Sequence, residues 1–175
     1  MKQLIVAMIM AVAMALGISA PAQAQPLGNY NLETIVEGLD SPWGLAILPN
    51  GDMLVTELTG DLRLIRNGKL VAQAVAGVPE SLYGGQGGLM DIALHPDYAY
   101  NGLVYLSLSV GTQSANSLRV IRGRFTGDAL ADITTVFESA PTKNTKVHYG
   151  ARMAFLPDNT LLINRGDGFD LREQA

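Results

Sequence analysis

Three times along this chain an apolar strand meets a Pro-Asp or Pro-Asn turn and a second apolar strand follows. That repeat limits the possible fold more than any other feature. The first unit runs from Ser41 to Glu57 with Pro49-Asn50 at its turn, the second from Gly88 to Ser107 with Pro96-Asp97, and the third from Gly150 to Ile163 with Pro157-Asp158. Pro holds φ near −65° and Asn or Asp caps the turn with its own side chain, so each junction reads as a hairpin. The three prolines lie 47 and 61 residues apart. Four-stranded propeller blades take about 40–50 residues, whereas leucine-rich and ankyrin units are shorter. Candidate outer strands fill the gaps. Asp61–Arg66 runs into Asn67-Gly68, a two-residue hairpin signal, and Leu118–Phe125 alternates less cleanly and reads as an outer, solvent-facing strand. The expectation is an all-β chain, a β-propeller with two complete blades and the start of a third. Propellers close with roughly 4–8 blades, so this reading makes the chain about the first half of a longer protein. A half-propeller that dimerises is the alternative.

The residues ahead of the repeat have a different character. Lys2 precedes an apolar run from Leu4 to Ile18, fifteen residues long, then Pro21 and the small-x-small sequence Ala22-Gln23-Ala24. A membrane-spanning helix needs roughly 20 apolar residues. The pattern therefore predicts a signal peptide over 1–24, cleaved before Gln25, and a propeller domain over 25–175 with no membrane span. Loss of Lys2 takes the formal charge from −4 to −5, which offers no electrostatic footprint for nucleic acid. The chain has no cysteine. Export without cysteine suits a bacterial periplasm better than a disulfide-stapled secreted module.

Three places could carry chemistry. Tyr83-Gly84-Gly85-Gln86-Gly87-Gly88 leads into the second unit, and its glycines permit close backbone approach around one amide, Gln86. The same pattern suits a plain turn with Gln86 in solvent. His148 stands at the corresponding entry to the third unit, where a propeller gathers its segments at one mouth of the axial channel. There it suits a general base. The other histidine, His95, lies in a Pro-Asp turn and reads as structural, bonding a turn carbonyl. Asp167, in Gly166-Asp167-Gly168, lies 19 residues past His148. It suits either a carboxylate that fixes the imidazole tautomer or a turn cap. No set of His or carboxylates has metal-ligand spacing.

Through these residues the chain resembles the glucose/sorbosone dehydrogenase family, the soluble aldose sugar dehydrogenases. The matching stretches are Ser41-Pro42-Trp43-Gly44-Leu45-Ala46, Gly51-Asp52-Met53-Leu54-Val55-Thr56-Glu57, Gly85-Gln86-Gly87-Gly88-Leu89-Met90-Asp91, His95-Pro96-Asp97-Tyr98 and His148-Tyr149-Gly150 with Arg152. The resemblance implies a six-bladed propeller using pyrroloquinoline quinone (PQQ) and Ca²⁺ to oxidise the anomeric C1 hydroxyl of aldoses by hydride transfer. It implies that His148 is the general base, that Asp167 supports it, and that Gln86 lies at the sugar and cofactor site. The electron acceptor has no signature in these residues. Most of the cationic clamp for PQQ and the Ca²⁺ ligands are implied to lie beyond Ala175, so these 175 residues alone are expected to be inactive. Two positions depart from the family pattern. Arg165 could draw Asp167 away from His148, and Asn159-Thr160 replaces an Asp-Gly turn. Other readings are a metal-dependent lactonase with Glu37 as a ligand, and a non-catalytic periplasmic binding propeller.

Overall fold

A computed structural model describes residues 28, 30–169 and 172–174. The expected signal peptide lies outside these residues. Contacts divide the chain into two units, Met1–Glu33 and Thr34–Ala175. The described residues of the first, Gly28 and Tyr30–Glu33, form no regular secondary structure. The architecture below is that of the second.

Its first sheet holds β1 (Pro42–Ile47), β2 (Met53–Glu57), β3 (Leu62–Arg66) and β4 (Lys69–Leu70), antiparallel and in chain order. This is one blade. The β3–β4 turn places Asn67 at φ 51° and Gly68 at φ 72°, the two left-handed residues that a tight hairpin requires. A second four-stranded sheet repeats the order with β5 (Leu89–Leu94), β6 (Leu103–Thr112), β7 (Ala115–Phe125) and β8 (Leu130–Glu138). A third begins with the pair β9 (Gly150–Phe155) and β10 (Leu161–Arg165). The blade expectation holds. In the β9–β10 turn Asn159 adopts φ 67° and Asp158 caps the Thr160 N–H at 3.0 Å. Asn tolerates the left-handed region better than most residues, so the departure from Asp-Gly changes only the turn.

Three details differ from the sequence expectation. The second hairpin is interrupted by one helical turn, α1 (Tyr98–Asn101), closed by Gly102 at φ 65° donating its N–H to the Tyr98 carbonyl. His95 bonds no carbonyl. Its Nδ1 lies 3.0 Å from the Asp97 N–H and 3.0 Å from the Asn101 amide, so it accepts. Residues 118–125 are not a solvent-facing strand. They belong to β7, which β8 covers, and Leu118, Val120 and Ile121 are buried. β7 keeps an unbroken register with β6, and the extra residues in its pairing with β8 lie on β8. Val120 and Ile121 point to opposite faces and both are buried, so a strand covered on two sides loses its period of two.

The core consists of two clusters, and β5 feeds both. Leu89 and Ile92 join Ala46, Leu54, Leu62, Leu64, Leu106 and Leu108 in the first. Met90 joins Leu118, Tyr149 and Ala151 in the second, with Trp43 and Ile163 packed against it. Burying one such side chain stabilises by about 1.5–3 kcal/mol. Adjacent blades share no ladder of main-chain bonds, so side chains lash the inner strands together. Thr56 Oγ1 accepts the Gly44 N–H at 2.8 Å and donates to the Met90 carbonyl. Asp91, buried on β5, accepts the Met153 N–H at 2.7 Å and Arg152 Nη1 at 3.0 Å. The same guanidinium lies 4.6 Å over the Trp43 ring.

Asp91→Ala leaves two donors without their carboxylate. Because hydrogen bonds to charged groups contribute roughly 1.5–3 kcal/mol each, the expected destabilisation is about 2–3 kcal/mol. Urea unfolding of the two proteins reads it directly, and an unchanged midpoint would show that the lashing contributes nothing.

Candidate functional site

The entries to β5 and β9 touch, and glycine makes this possible. Gly84 and Gly87 exchange main-chain bonds at 3.1 and 3.0 Å, curling the loop tightly. Gly85 adopts φ 61°, and a Cβ there would stand 2.5 Å from the Lys146 carbonyl oxygen. With no Cβ in the way, the Gln86 N–H reaches that carbonyl at 2.8 Å. The Gln86 side chain then turns to the next part of the same segment. Its Oε1 accepts the His148 N–H at 2.8 Å. Gln86 is surface-exposed, yet its amide is engaged, and it holds the backbone of His148 and not the ring.

His148 has φ 53°, a left-handed conformation uncommon outside glycine. This turn brings the imidazole onto the carboxylate that follows β10. His148 Nδ1 lies 2.6 Å from Asp167 Oδ1. The approach depends on Gly166, since a Cβ on that residue would come within 2.2 Å of the His148 carbonyl oxygen. Gly166 instead donates its N–H to the Tyr149 carbonyl at 3.0 Å. Asp167 also accepts the Phe169 N–H at 2.9 Å, and Arg172 Nε lies 3.7 Å from its other oxygen. Thr145 fastens the same turn from the opposite side, its hydroxyl donating to the Gly168 carbonyl at 2.6 Å.

The Phe169 N–H bond, then the His148 bond, and finally the charges of His148 and Arg172 hold the Asp167 carboxyl below its ordinary value of 3.8. Asp167 is therefore ionised at neutral pH and accepts a hydrogen bond from the Nδ1–H, which leaves the imidazole lone pair on Nε2. Among the described residues Nε2 has no hydrogen-bond partner. The His148 side chain is 38% exposed, so that lone pair is open to an incoming molecule.

A depressed carboxyl pKa stabilises the fold above pH 3.8, the ordinary value, and that contribution is lost as pH falls below it. Asp167→Asn is thus expected to flatten the acid limb of a stability-versus-pH curve below about pH 4. Identical acid limbs for the two proteins would contradict the assignment.

Gln86, His148 and Asp167, expected from the sequence, come together here. Arg165 does not behave as expected. Its guanidinium bonds the Ala140 carbonyl at 2.7 Å and the Pro141 carbonyl at 3.2 Å, and it leaves Asp167 to His148. The arginine that does approach Asp167 is Arg172. Phe169 also went unforeseen, its ring standing edge-on to the imidazole with centroids 5.3 Å apart. An aromatic directly after a Gly-Asp-Gly turn was the only available signal for it. Glu37 is exposed, and among the described residues no group of three or more His, Asp or Glu is disposed to hold a metal. The described residues therefore offer no Ca²⁺ cage.

Blades of four antiparallel strands, with an imidazole–carboxylate pair at the entry to an inner strand, define a β-propeller protein. Residues 39–175 match the family model described as glucose/sorbosone dehydrogenase. The chain belongs to the glucose/sorbosone dehydrogenase family. It is 48% identical over 142 residues to protein slr1608 of Synechocystis sp., covering 77% of this chain and 34% of that protein. It is 38% identical over 154 residues to the aldose sugar dehydrogenase YliI of Escherichia coli, covering 86% of this chain and 41% of the relative. The PQQ-bound form of the aldose sugar dehydrogenase from Streptomyces coelicolor superposes with a TM-score of 0.67 at 35% identity, covering 78% of this chain and 41% of that one. The chain thus spans between a third and just over two fifths of the curated relatives' length. Among the described residues no helix is long and apolar enough to cross a membrane.

Proposed function

We propose that this chain supplies the proton-accepting part of the site in an exported, PQQ-dependent aldose sugar dehydrogenase. The observation that carries the reading is the 2.6 Å contact between His148 Nδ1 and Asp167, which leaves Nε2 free and outward. The PQQ-bound relative from Streptomyces coelicolor supports the cofactor, and YliI supports the aldose substrate.

The site fits the group in one respect that can be read from these residues: an exposed basic nitrogen beside an exposed aromatic ring, Phe169, suits a flat carbonyl-bearing molecule and a sugar hydroxyl. PQQ, when bound, supplies the oxidant that accepts hydride from C1 of the sugar. His148 Nε2 accepts the proton of the C1 hydroxyl. Asp167 holds the opposite nitrogen protonated and stabilises the imidazolium once it forms. Gln86 holds the His148 main chain, so the ring does not swing away from its acceptor position.

Export over a leader at 1–24, with the domain at 25–175 reaching the periplasm, belongs to the same reading. We expect the 175 residues alone to hold PQQ weakly and to turn over no sugar, since among the described residues no group of three or more His, Asp or Glu is disposed to hold Ca²⁺. Loading the holoenzyme with PQQ and Ca²⁺ and supplying aldoses with an artificial electron acceptor tests the function. Reduction of the acceptor is expected, and failure with every aldose tried would sink the reading.

A further inference from the structure

Among the described residues Lys143 is the one buried lysine, with 7% of its surface exposed. An ammonium rarely enters a core without a partner. This one has three kinds of contact. Nζ donates to the Val147 carbonyl, the peptide that leads directly into His148. The charge also stands 3.4 Å over the centre of the Tyr149 ring, which attracts a cation to its face. Tyr149 itself is fixed, because its hydroxyl donates to Asn116 Oδ1 at 2.7 Å. The Lys143 main chain is bonded both ways to Asn116, each at 2.8 Å. One anchored side chain therefore reaches from the rigid β7 edge to the residues on either side of His148.

We propose that Lys143 is a positioning residue for His148, its ammonium clamping the Val147 peptide and the Tyr149 ring so that the intervening histidine stays at positive φ with Nδ1 on Asp167. The inference rests on the reading of His148 as proton acceptor, although its test does not. A left-handed histidine is strained and persists only where its surroundings over-determine it. Gln86 holds the N–H end of the Val147–His148 peptide, but neither Gln86 nor Asp167 holds its carbonyl end or the ring after His148. Lys143 restrains both.

The clamp has a consequence in alkali. Burial, with Arg165 adding repulsion and Asp167 partly opposing it, brings the Lys143 amine down from 10.5 to about 8. The charged or titratable groups around it are Tyr149 just before β9, Arg165 on β10 and Asp167 beyond β10, with Lys146 and His148 on its own segment. Between about pH 8 and 10.5 the folded chain binds less proton than the unfolded one, so stability attributable to this group rises with pH. Its hold on His148 weakens over the same range, because a neutral amine loses the attraction to the ring face. Order at one residue and stability of the whole therefore move in opposite directions.

The chain has only two histidines, and their hydrogen bonds give them opposite tautomers. His95 accepts at Nδ1 and so carries its proton on Nε2, whereas His148 carries its proton on Nδ1. Imidazole ¹⁵N NMR of the wild-type chain from pH 7 to 9.5, with neither sugar nor quinone present, reads both. The expected result is a fixed Nδ1–H tautomer for His148 at pH 7 that begins to average as the lysine deprotonates, while His95 stays constant. In Lys143→Met the averaging is expected already at pH 7, again with His95 unchanged. A His148 signal that keeps one tautomer throughout the wild-type titration, or in the methionine variant with His95 intact, overturns the proposal. Should the variant disturb both histidines, the wild-type titration decides alone. A failure of aldose oxidation leaves these spectra untouched, so the two readings fail separately.

Discussion

Replacing His148 by Asn in the PQQ-loaded holoenzyme is expected to lower kcat for aldose oxidation by about 10²–10⁴-fold, the range that a positioned acid–base group contributes. Asn is the substitution of choice for a backbone reason. The native residue sits at φ 53°, and Asn is among the side chains that accept this region most readily. The variant therefore removes the imidazole while retaining the turn and the N–H that Gln86 accepts. KM is expected to change little, since the lost interaction belongs to the proton transfer and not to ground-state binding. Steady-state rates with an artificial acceptor, together with a thermal melt to confirm the fold, measure both quantities. A variant that keeps more than a tenth of wild-type kcat shows that another group accepts the proton.

The second large effect is structural and lies at Gly88. Its φ is 152°, and a Cβ there would fall 1.9 Å from the Leu58 carbonyl oxygen. That oxygen is main chain and already accepts the Leu89 N–H at 3.3 Å. The Gly88 carbonyl in turn accepts the Ser109 N–H at 3.0 Å. No flexible side chain is available to yield, so Gly88→Ala must part the blades at the point where β5 begins. Strain of about 1–3 kcal/mol and a comparable overpacking term give an expected loss of roughly 3–5 kcal/mol. Gly127→Ala is the matched control. Its φ is 106°, and a Cβ there meets nothing within 4 Å, so strain alone applies, about 1–3 kcal/mol. Equal denaturation midpoints for the two variants would show that the close approach at Gly88 is not what requires glycine.

These two positions also show why part of the site was legible before any coordinates. Gln86 and His148 occupy the same place in successive repeats, and a repeated hairpin returns equivalent positions to equivalent points of the sheet order. Asn67-Gly68 announced its turn because a two-residue hairpin needs two left-handed residues and little else. The blades themselves follow from strand alternation and turn chemistry, which are local. Asp167 was nameable as a neighbour of His148 because β9 and β10 are joined by a short hairpin.

What resisted reading depends on atoms that arrive from distant parts of the chain. Leu118–Phe125 was read as solvent-facing because its alternation is weak, but both faces of the strand are buried, with Ile121 in one core cluster and Leu118 in the other, and β8 pairs along its edge. The sequence left open whether Arg165 pairs with Asp167, and two carbonyls, at Ala140 and Pro141, take its guanidinium instead. Composition alone cannot tell a surface lysine from Lys143. Its burial exists only because β7, β9 and the segment before His148 converge on one point. The local order of strands and turns was written in the residues themselves, since backbone preference and side-chain alternation act over a few positions. The direction each polar group faces was settled by folding alone, because a donor or acceptor goes to whichever partner the packed chain brings within about 3 Å.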